Sequence, residues 1–129
     1  MGSKSDLPVM QEGVDILAEA GVDVQVVVSS AHRDPDETVR LAREARDQGF
    51  TVVICGAGLS AALPGVVAAN TALPVIGVPI SAGTLGGLDA LLSMAQMPSG
   101  VPVATVGIDN SGNAAHLALR ILGRSAPAA

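Results

Sequence analysis

The sequence predicts a single three-layer α/β domain built on a parallel sheet, and three observations carry the prediction. Helix-like and strand-like stretches alternate with no linker and no fixed-period repeat, as one helix followed by four strand–helix units. The strand candidates at 51–55, 74–80 and 103–108 are short continuous apolar runs, the pattern of strands buried on both faces. Each of these runs passes through small and polar residues into a helix, as strand-to-helix connections in such sheets do. A chain of 129 residues has room for one core.

The opening run Gly2-Ser3-Lys4-Ser5-Asp6 is small and polar, and Leu7-Pro8 leads into a helix on which Met10, Val14 and Leu17 share a face before Gly21 ends it. A Gly-Ser-rich turn entering a helix N-terminus is either an anion site formed by backbone N–H groups or an ordinary capped turn. Residues 22–28 alternate and read as a strand with one less-buried face. Asp34 is placed to cap the next helix, Pro35 suits its first position and Glu37 lies three residues past the cap. That helix spans 35–48, with Val39, Ala42 and Ala45 on one side and Gly49 at its end. Strand 51–55 runs into Gly56-Ala57-Gly58-Leu59-Ser60, whose single GxG is weak as a phosphate signal because tight turns need glycine anyway.

A small-residue helix over 61–70, strand 74–80, the turn 81–87 and a helix over 88–96 follow. Met97-Pro98-Ser99-Gly100 makes a turn before strand 103–108, and Asp109-Asn110-Ser111-Gly112 leads to a last helix over 113–122. Residues 1–123 therefore read as one domain and 124–129 as a loose tail. No strand precedes the opening turn, although a doubly wound sheet has one near its middle; the expectation is that a leading strand has been lost from the start.

Hydrophobic residues make up 49% of the chain and charged ones 15%, so part of the apolar surface is expected to be covered by other subunits. One Phe, no Tyr or Trp and a net charge of −5 argue against nucleic-acid binding. The single cysteine, Cys55, excludes an internal disulfide and fits a reducing cytoplasm; its apolar run makes it a buried structural thiol. Neither a membrane-spanning run nor a signal peptide is visible.

The chemistry points to Ser29-Ser30-Ala31-His32-Arg33-Asp34-Pro35-Asp36. Ser30, His32 and Arg33 lie in the turn leaving the C-terminal end of a predicted strand, the edge where open α/β sheets bind ligands. Imidazole can take and return a proton near neutral pH. Arg33 can hold a phosphate or pair with Asp34, Asp36 or Glu37; His32 is either an acid–base group or a loop histidine bonded to backbone. His116, among alanines and leucines of the last helix, reads as structural or surface. Two isolated histidines and one cysteine make no metal constellation, and neither a serine elbow nor a P-loop lysine is present.

Taken together, Gly2-Ser3-Lys4-Ser5-Asp6, Ser30-Ala31-His32-Arg33-Asp34-Pro35, Gly56-Ala57-Gly58, Leu63-Pro64-Gly65, Leu73-Pro74-Val75-Ile76-Gly77-Val78-Pro79 and Gln96-Met97-Pro98-Ser99-Gly100-Val101-Pro102 resemble the PurE family of purine biosynthesis. Its members are N5-carboxyaminoimidazole ribonucleotide mutase and aminoimidazole ribonucleotide carboxylase. The resemblance spans nearly the whole chain. It implies a flavodoxin-like three-layer fold with a strand just before Gly2 and a further C-terminal helix after Gly123. It also implies a cytoplasmic homo-octamer with sites shared between subunits, and no metal or organic cofactor.

By the same resemblance, Ser3, Ser5, Ser30 and Arg33 match the residues that hold the substrate phosphate, and Asp6 matches the carboxylate at the ribose hydroxyls. Ala57, Gly58 and Leu63 match backbone around the imidazole, and His32 matches the catalytic histidine that handles the ring proton while carbon 4 takes up CO2. The bacterial mutase carries a histidine directly before Leu-Pro-Gly, where this chain has Ala62. The run Gly58-Leu59-Ser60-Ala61-Ala62-Leu63 is closer to the carboxylase branch, whereas Arg33 and Pro98-Ser99-Gly100-Val101-Pro102 side with the mutase. The expected activity is therefore the mutase reaction. The alternatives are direct carboxylation of aminoimidazole ribonucleotide by CO2 and a nucleotide-binding subunit without catalysis.

Overall fold

Leu7–Glu19 forms helix α1, preceded by one 3-10 turn at Lys4–Asp6 and closed at Gly21, whose φ of +71° is the left-handed conformation that favours glycine at a helix end. Helix α2, Pro35–Glu44, begins as the sequence requires: the Asp34 carboxylate accepts the Glu37 N–H at 3.4 Å and Pro35 occupies the first turn. Strands β1 (Val53–Gly58), β2 (Val75–Ile80) and β3 (Ala104–Thr105) follow, with helices α3 (Leu63–Ala69), α4 (Leu88–Ala95) and α5 (Ser111–Ile121) after each in turn. This computed structural model describes residues 1–128. Ala129, the last residue of the expected loose tail, lies outside the described residues.

The sheet is parallel in the order β1-β2-β3, with Val53 opposite Val75 and Ile76 opposite Ala104. Every residue of the central strand β2 is buried, because helices cover both faces. On one face, Met10 and Leu17 of α1 and Ala114, Ala115, Ala118 and Leu119 of α5 pack on Ile76, Val78 and Ile80. On the other, Ala42, Leu63, Val67, Ala90 and Met94 pack on Cys55, Ala57 and Val75. This is the three-layer α/β architecture that the alternation predicts.

With almost no aromatic rings to fill space, the interior uses thioethers set against glycines. The Met94 sulfur lies where a β-carbon on Gly77 would come within 2.9 Å, Met97 does the same at 3.1 Å over Gly65, and Met10 occupies the corresponding place over Gly56. Helices α1 and α5 are joined by a buried polar link. The Ser111 hydroxyl donates to the Val9 carbonyl at 2.6 Å and accepts the Gly13 N–H at 3.1 Å.

Three predicted strands differ from the structure. Strand 51–55 is shifted to Val53–Gly58, because Gly56, Ala57 and Gly58, read as a turn, pair with Val78, Pro79 and Ile80 of β2. Residues 22–28 join no sheet, because their alternation supplies a surface but a strand also needs a hydrogen-bonded neighbour. Among the described residues the only one is Met1, whose amine donates to the Val27 carbonyl at 2.9 Å and whose carbonyl accepts the Ser29 N–H at 2.9 Å. The predicted strand 103–108 pairs over Ala104–Thr105 and through one further bond, from the Val106 N–H to the Gly77 carbonyl at 3.1 Å, since an edge strand has a single neighbour. The second predicted helix ends at Glu44 rather than 48; a turn over 45–49 follows, closed by Gly49 at φ +90°.

Candidate active site

The two polar turns singled out in the sequence meet through the first two residues of the chain. Met1 bonds Val27 and Ser29 on one side, while the Gly2 N–H donates to the Gly56 carbonyl at 3.2 Å on the other. Three chain segments therefore leave the same end of the sheet side by side: Ser3 onward, Ser30 onward, and Ala57-Gly58 at the end of β1. Serine hydroxyls, imidazole and guanidinium are thus brought to one edge, the C-terminal edge of the strands.

Within the opening turn, Ser3 caps the 3-10 segment. Its hydroxyl accepts the Ser5 N–H at 3.3 Å and lies 2.8 Å from the Ser5 hydroxyl, and the Asp6 carboxylate accepts the Ser3 N–H at 3.1 Å. The N–H groups of Ser3, Ser5 and Asp6 are therefore already engaged, Asp6 donating to the Ser3 carbonyl. Among the described residues the Lys4 N–H has no acceptor, so that N–H and the Ser3 and Ser5 hydroxyls are the groups of this turn left to face outward. Partial burial pushes the Asp6 carboxyl above the ordinary aspartate value, an effect opposed by the Ser3 N–H and by the Met1 amine.

In the second turn the Ser30 hydroxyl accepts the Arg33 N–H at 3.2 Å, and the Asp34 N–H donates to the Ser30 carbonyl at 2.8 Å. His32 and Arg33 are exposed, and among the described residues neither side chain has a hydrogen-bond or ion-pair partner. Of the three carboxylates near Arg33 along the chain, Glu37 pairs with Arg40 at 2.6 Å, Asp34 caps α2, and Asp36 makes no ion pair among the described residues. Both groups are therefore free to meet a ligand.

At the end of β1, Ala57 is buried, Gly58 is half-buried and Leu63 is buried at the start of α3. A β-carbon at Gly58 would stand 3.1 Å from the Ile80 carbonyl oxygen, so glycine lets β1 and the exit of β2 close up here without the backbone giving way. Ala62 precedes α3 with no side-chain cap and presents only a methyl there. His116 lies on the exposed side of α5. Among the described residues no group of three His, Cys, Asp or Glu side chains could hold a metal ion, and no helix is long and apolar enough to cross a membrane. Burial pushes the Cys55 thiol up to about 12, which makes it a packing group rather than a nucleophile.

Sequence reasoning missed two residues that shape this edge. Asp109, at φ +59°, turns its carboxylate back to accept the Ser81 N–H at 2.8 Å, while its own N–H donates to the Pro79 carbonyl at 2.8 Å; it thereby anchors the loop that follows β2. Leu59, at φ +56°, projects toward the same loop at Gly83. An Asp-Asn pair tolerates left-handed backbone and was a legible signal; leucine in that conformation gives none.

A model of the AIR carboxylase family matches residues 1–129. N5-carboxyaminoimidazole ribonucleotide mutase of Pyrococcus horikoshii is 58% identical over 127 residues, covering 98% of this chain and 72% of that protein. Phosphoribosylaminoimidazole carboxylase of Candida albicans is 56% identical over 123 residues, covering 95% of this chain and 22% of that protein. Among solved structures, Treponema denticola PurE superposes with a TM-score of 0.82 at 30% identity, covering 95% of this chain and 77% of that one.

Proposed function

The chain belongs to the AIR carboxylase family, and from that premise we propose that it is an enzyme of purine biosynthesis, converting N5-carboxyaminoimidazole ribonucleotide to 4-carboxyaminoimidazole ribonucleotide. The observation that carries this reading is the pair of backbone contacts through Met1 and Gly2, which bring the serine turn and the His32–Arg33 turn to one sheet edge. Ser3, Ser5, Ser30 and Arg33 hold the phosphate, Arg33 by charge-assisted bonds that no internal carboxylate competes for. Asp6 faces the ribose hydroxyls. Backbone at Ala57, Gly58 and Leu63 encloses the imidazole.

The reaction moves one carboxyl group and one proton. The exocyclic N–CO2 bond breaks and leaves CO2 beside the ring, carbon 4 attacks that CO2, and the ring proton at carbon 4 must leave. His32, exposed and without an internal partner, is placed to accept the proton and to return it to nitrogen. The rest of the site positions the ribonucleotide and keeps CO2 from escaping before recapture. The unit carrying this activity is the domain over 1–123. Association of copies, to an octamer as in the family resemblance, is supported by the exposure of Leu85, Leu88 and Leu92 along one stretch of the surface.

A second reading, carboxylation of aminoimidazole ribonucleotide by free CO2, is favoured by Ala62, which leaves one imidazole where the mutase branch has two, and by the similarity to the Candida albicans carboxylase. Feeding the protein each substrate separately, with and without bicarbonate, decides between them. Turnover of the N5-carboxy substrate without bicarbonate is the expected result. Turnover of aminoimidazole ribonucleotide alone, strictly dependent on bicarbonate, would assign the carboxylase instead, and binding without either reaction would assign a non-catalytic subunit.

A further inference from the structure

Ser30, Ala31, His32 and Arg33 form a turn that is folded on itself. The Ser30 hydroxyl accepts the Arg33 N–H at 3.2 Å, and the Ser30 carbonyl accepts the Asp34 N–H at 2.8 Å. Neither His32 nor Arg33 has a side-chain partner among the described residues, so both are aimed by the backbone that carries them. Whatever holds that backbone directs the imidazole and the guanidinium. Ala31, half-buried, packs on the cluster that contains Ala42, Cys55 and Leu63. A single methyl sets the depth of the turn but little of its angle.

The angle is set by one buried hydroxyl. Thr38, the fourth residue of α2, is only 1% exposed. Its Oγ1 donates to the Asp34 carbonyl at 3.1 Å and lies 2.7 Å from the Ser29 Oγ. A threonine hydroxyl has one proton, and with that proton on Asp34 the Ser29 hydroxyl is the donor in the second contact. The Asp34 carbonyl also accepts the Thr38 N–H at 3.2 Å. Ser29 and Asp34 flank the Ser30–Arg33 turn, so a single oxygen grips both of its ends. A threonine bonded only to the carbonyl four residues before it is a common way to satisfy a hydroxyl inside a helix. The contact with Ser29, nine residues earlier and outside the helix, goes beyond that: two polar side chains meet beneath the turn where apolar ones would fill the same space.

We infer that Thr38, together with Ser29, is a positioning residue of the reaction: the hydroxyl pair clasps the two ends of the turn and fixes the direction in which His32 meets the ring proton. This rests on the reading of His32 as the proton-transfer group. Thr38 is too buried to reach a ligand and acts through the turn alone. Such a clasp governs rate more than affinity. Proton transfer needs its two atoms within hydrogen-bond reach and aligned, and a misplacement of about 1 Å can cost about a hundredfold. A phosphate held by several hydroxyls and a long arginine side chain tolerates the same shift.

Thr38→Val keeps the shape of the side chain and removes the hydroxyl, whereas Thr38→Ser keeps the hydroxyl and removes a methyl. Steady-state rates are measured on the whole chain with N5-carboxyaminoimidazole ribonucleotide, at a temperature where circular dichroism shows each variant folded. Thr38→Val should lower kcat about tenfold or more with KM within about threefold, and Thr38→Ser should keep kcat within about threefold of the parent. Ser29→Ala should lower kcat in the same way. The double variant Ser29→Ala/Thr38→Val should be no slower than the slower single one, because one clasp opens only once. In Thr38→Val, amide exchange at Arg33 and Asp34 should quicken about tenfold or more, with Val78 of the central strand unchanged. Parent kcat in Thr38→Val, valine and serine variants equally slow, multiplied losses in the double variant, or unchanged exchange at Arg33 and Asp34 would each overturn the proposal. Absence of turnover in the parent chain would tell instead against the function proposed above, and the exchange comparison then judges the clasp by itself.

Discussion

Gly58→Ala probes whether the closing of β1 against the exit of β2 shapes the site. The new methyl would stand 3.1 Å from the Ile80 carbonyl oxygen and 3.2 Å from the Ala82 β-carbon. Neither neighbour is the far end of a flexible side chain, so backbone must give by a few tenths of an ångström. Overpacking of this kind costs about 1–3 kcal/mol. Removing a strand glycine returns about 0.5–1 kcal/mol through the unfolded chain. The net is a destabilisation of up to about 2.5 kcal/mol, or a melting temperature lower by up to about 10 °C for a domain of this size. Activity should fall further than stability. The displaced end of β1 carries Ala57 and, through the Gly2–Gly56 bond, the serine turn, and misplacement by fractions of an ångström can slow a positioned reaction several-fold. Urea melts and initial-rate measurements on the same preparation provide the comparison. A variant with the parent's midpoint and the parent's kcat/KM would refute the idea that this contact sets the wall of the site.

His32→Asn should abolish turnover while leaving ribonucleotide affinity within a few-fold, as measured by rates and titration calorimetry; unchanged rates would remove His32 from the mechanism. Arg33→Ala should weaken ribonucleotide binding by about tenfold to a hundredfold, the worth of a charge-assisted bond, and leave binding of the dephosphorylated nucleoside unchanged. Ser111→Ala strands the Gly13 N–H and the Val9 carbonyl between α1 and α5 and should destabilise the fold by about 1–3 kcal/mol in chemical denaturation. The Met1 ammonium has a folded pKa below its ordinary value of 8.0, so its burial penalty is full below the folded value and disappears as pH rises to 8. Stability should therefore increase with pH across the window that ends at 8, and the Nα-acetylated chain, compared at each pH, should lack that component.

The presence and order of the helices and the layer order were legible because they are written locally. Asp34, Pro35, Gly21 and Gly49 each act within a few residues of themselves, and the buried run 74–80 became the central strand because its apolar side chains serve both faces. Residues 22–28 show the limit. Their alternation is intrinsic, but strand pairing depends on what lies alongside, and among the described residues only Met1 does so. The site was half legible for the same reason. Ser30, His32 and Arg33 announced themselves by residue type at the end of a strand-like run, whereas their meeting with Ser3 and Ser5 rests on bonds that span more than twenty residues. Nothing local foretold that Arg33 would pair with none of Asp34, Asp36 and Glu37 among the described residues, since all three lie near it along the chain and only Glu37 is drawn to Arg40.

The thioether-and-glycine pairs give the fold a chemical vulnerability that ring-packed proteins lack. An oxygen added to the Met94 or Met10 sulfur would have to fit where the β-carbon of Gly77 or Gly56 already has no room, so a single sulfoxide there would pry α4 or α1 away from the sheet. Met97, less enclosed, stands in peroxide's path first and would spare the inner two for a time. Graded peroxide exposure should accordingly leave the folded state standing through its first equivalents and collapse it once the interior sulfurs are reached.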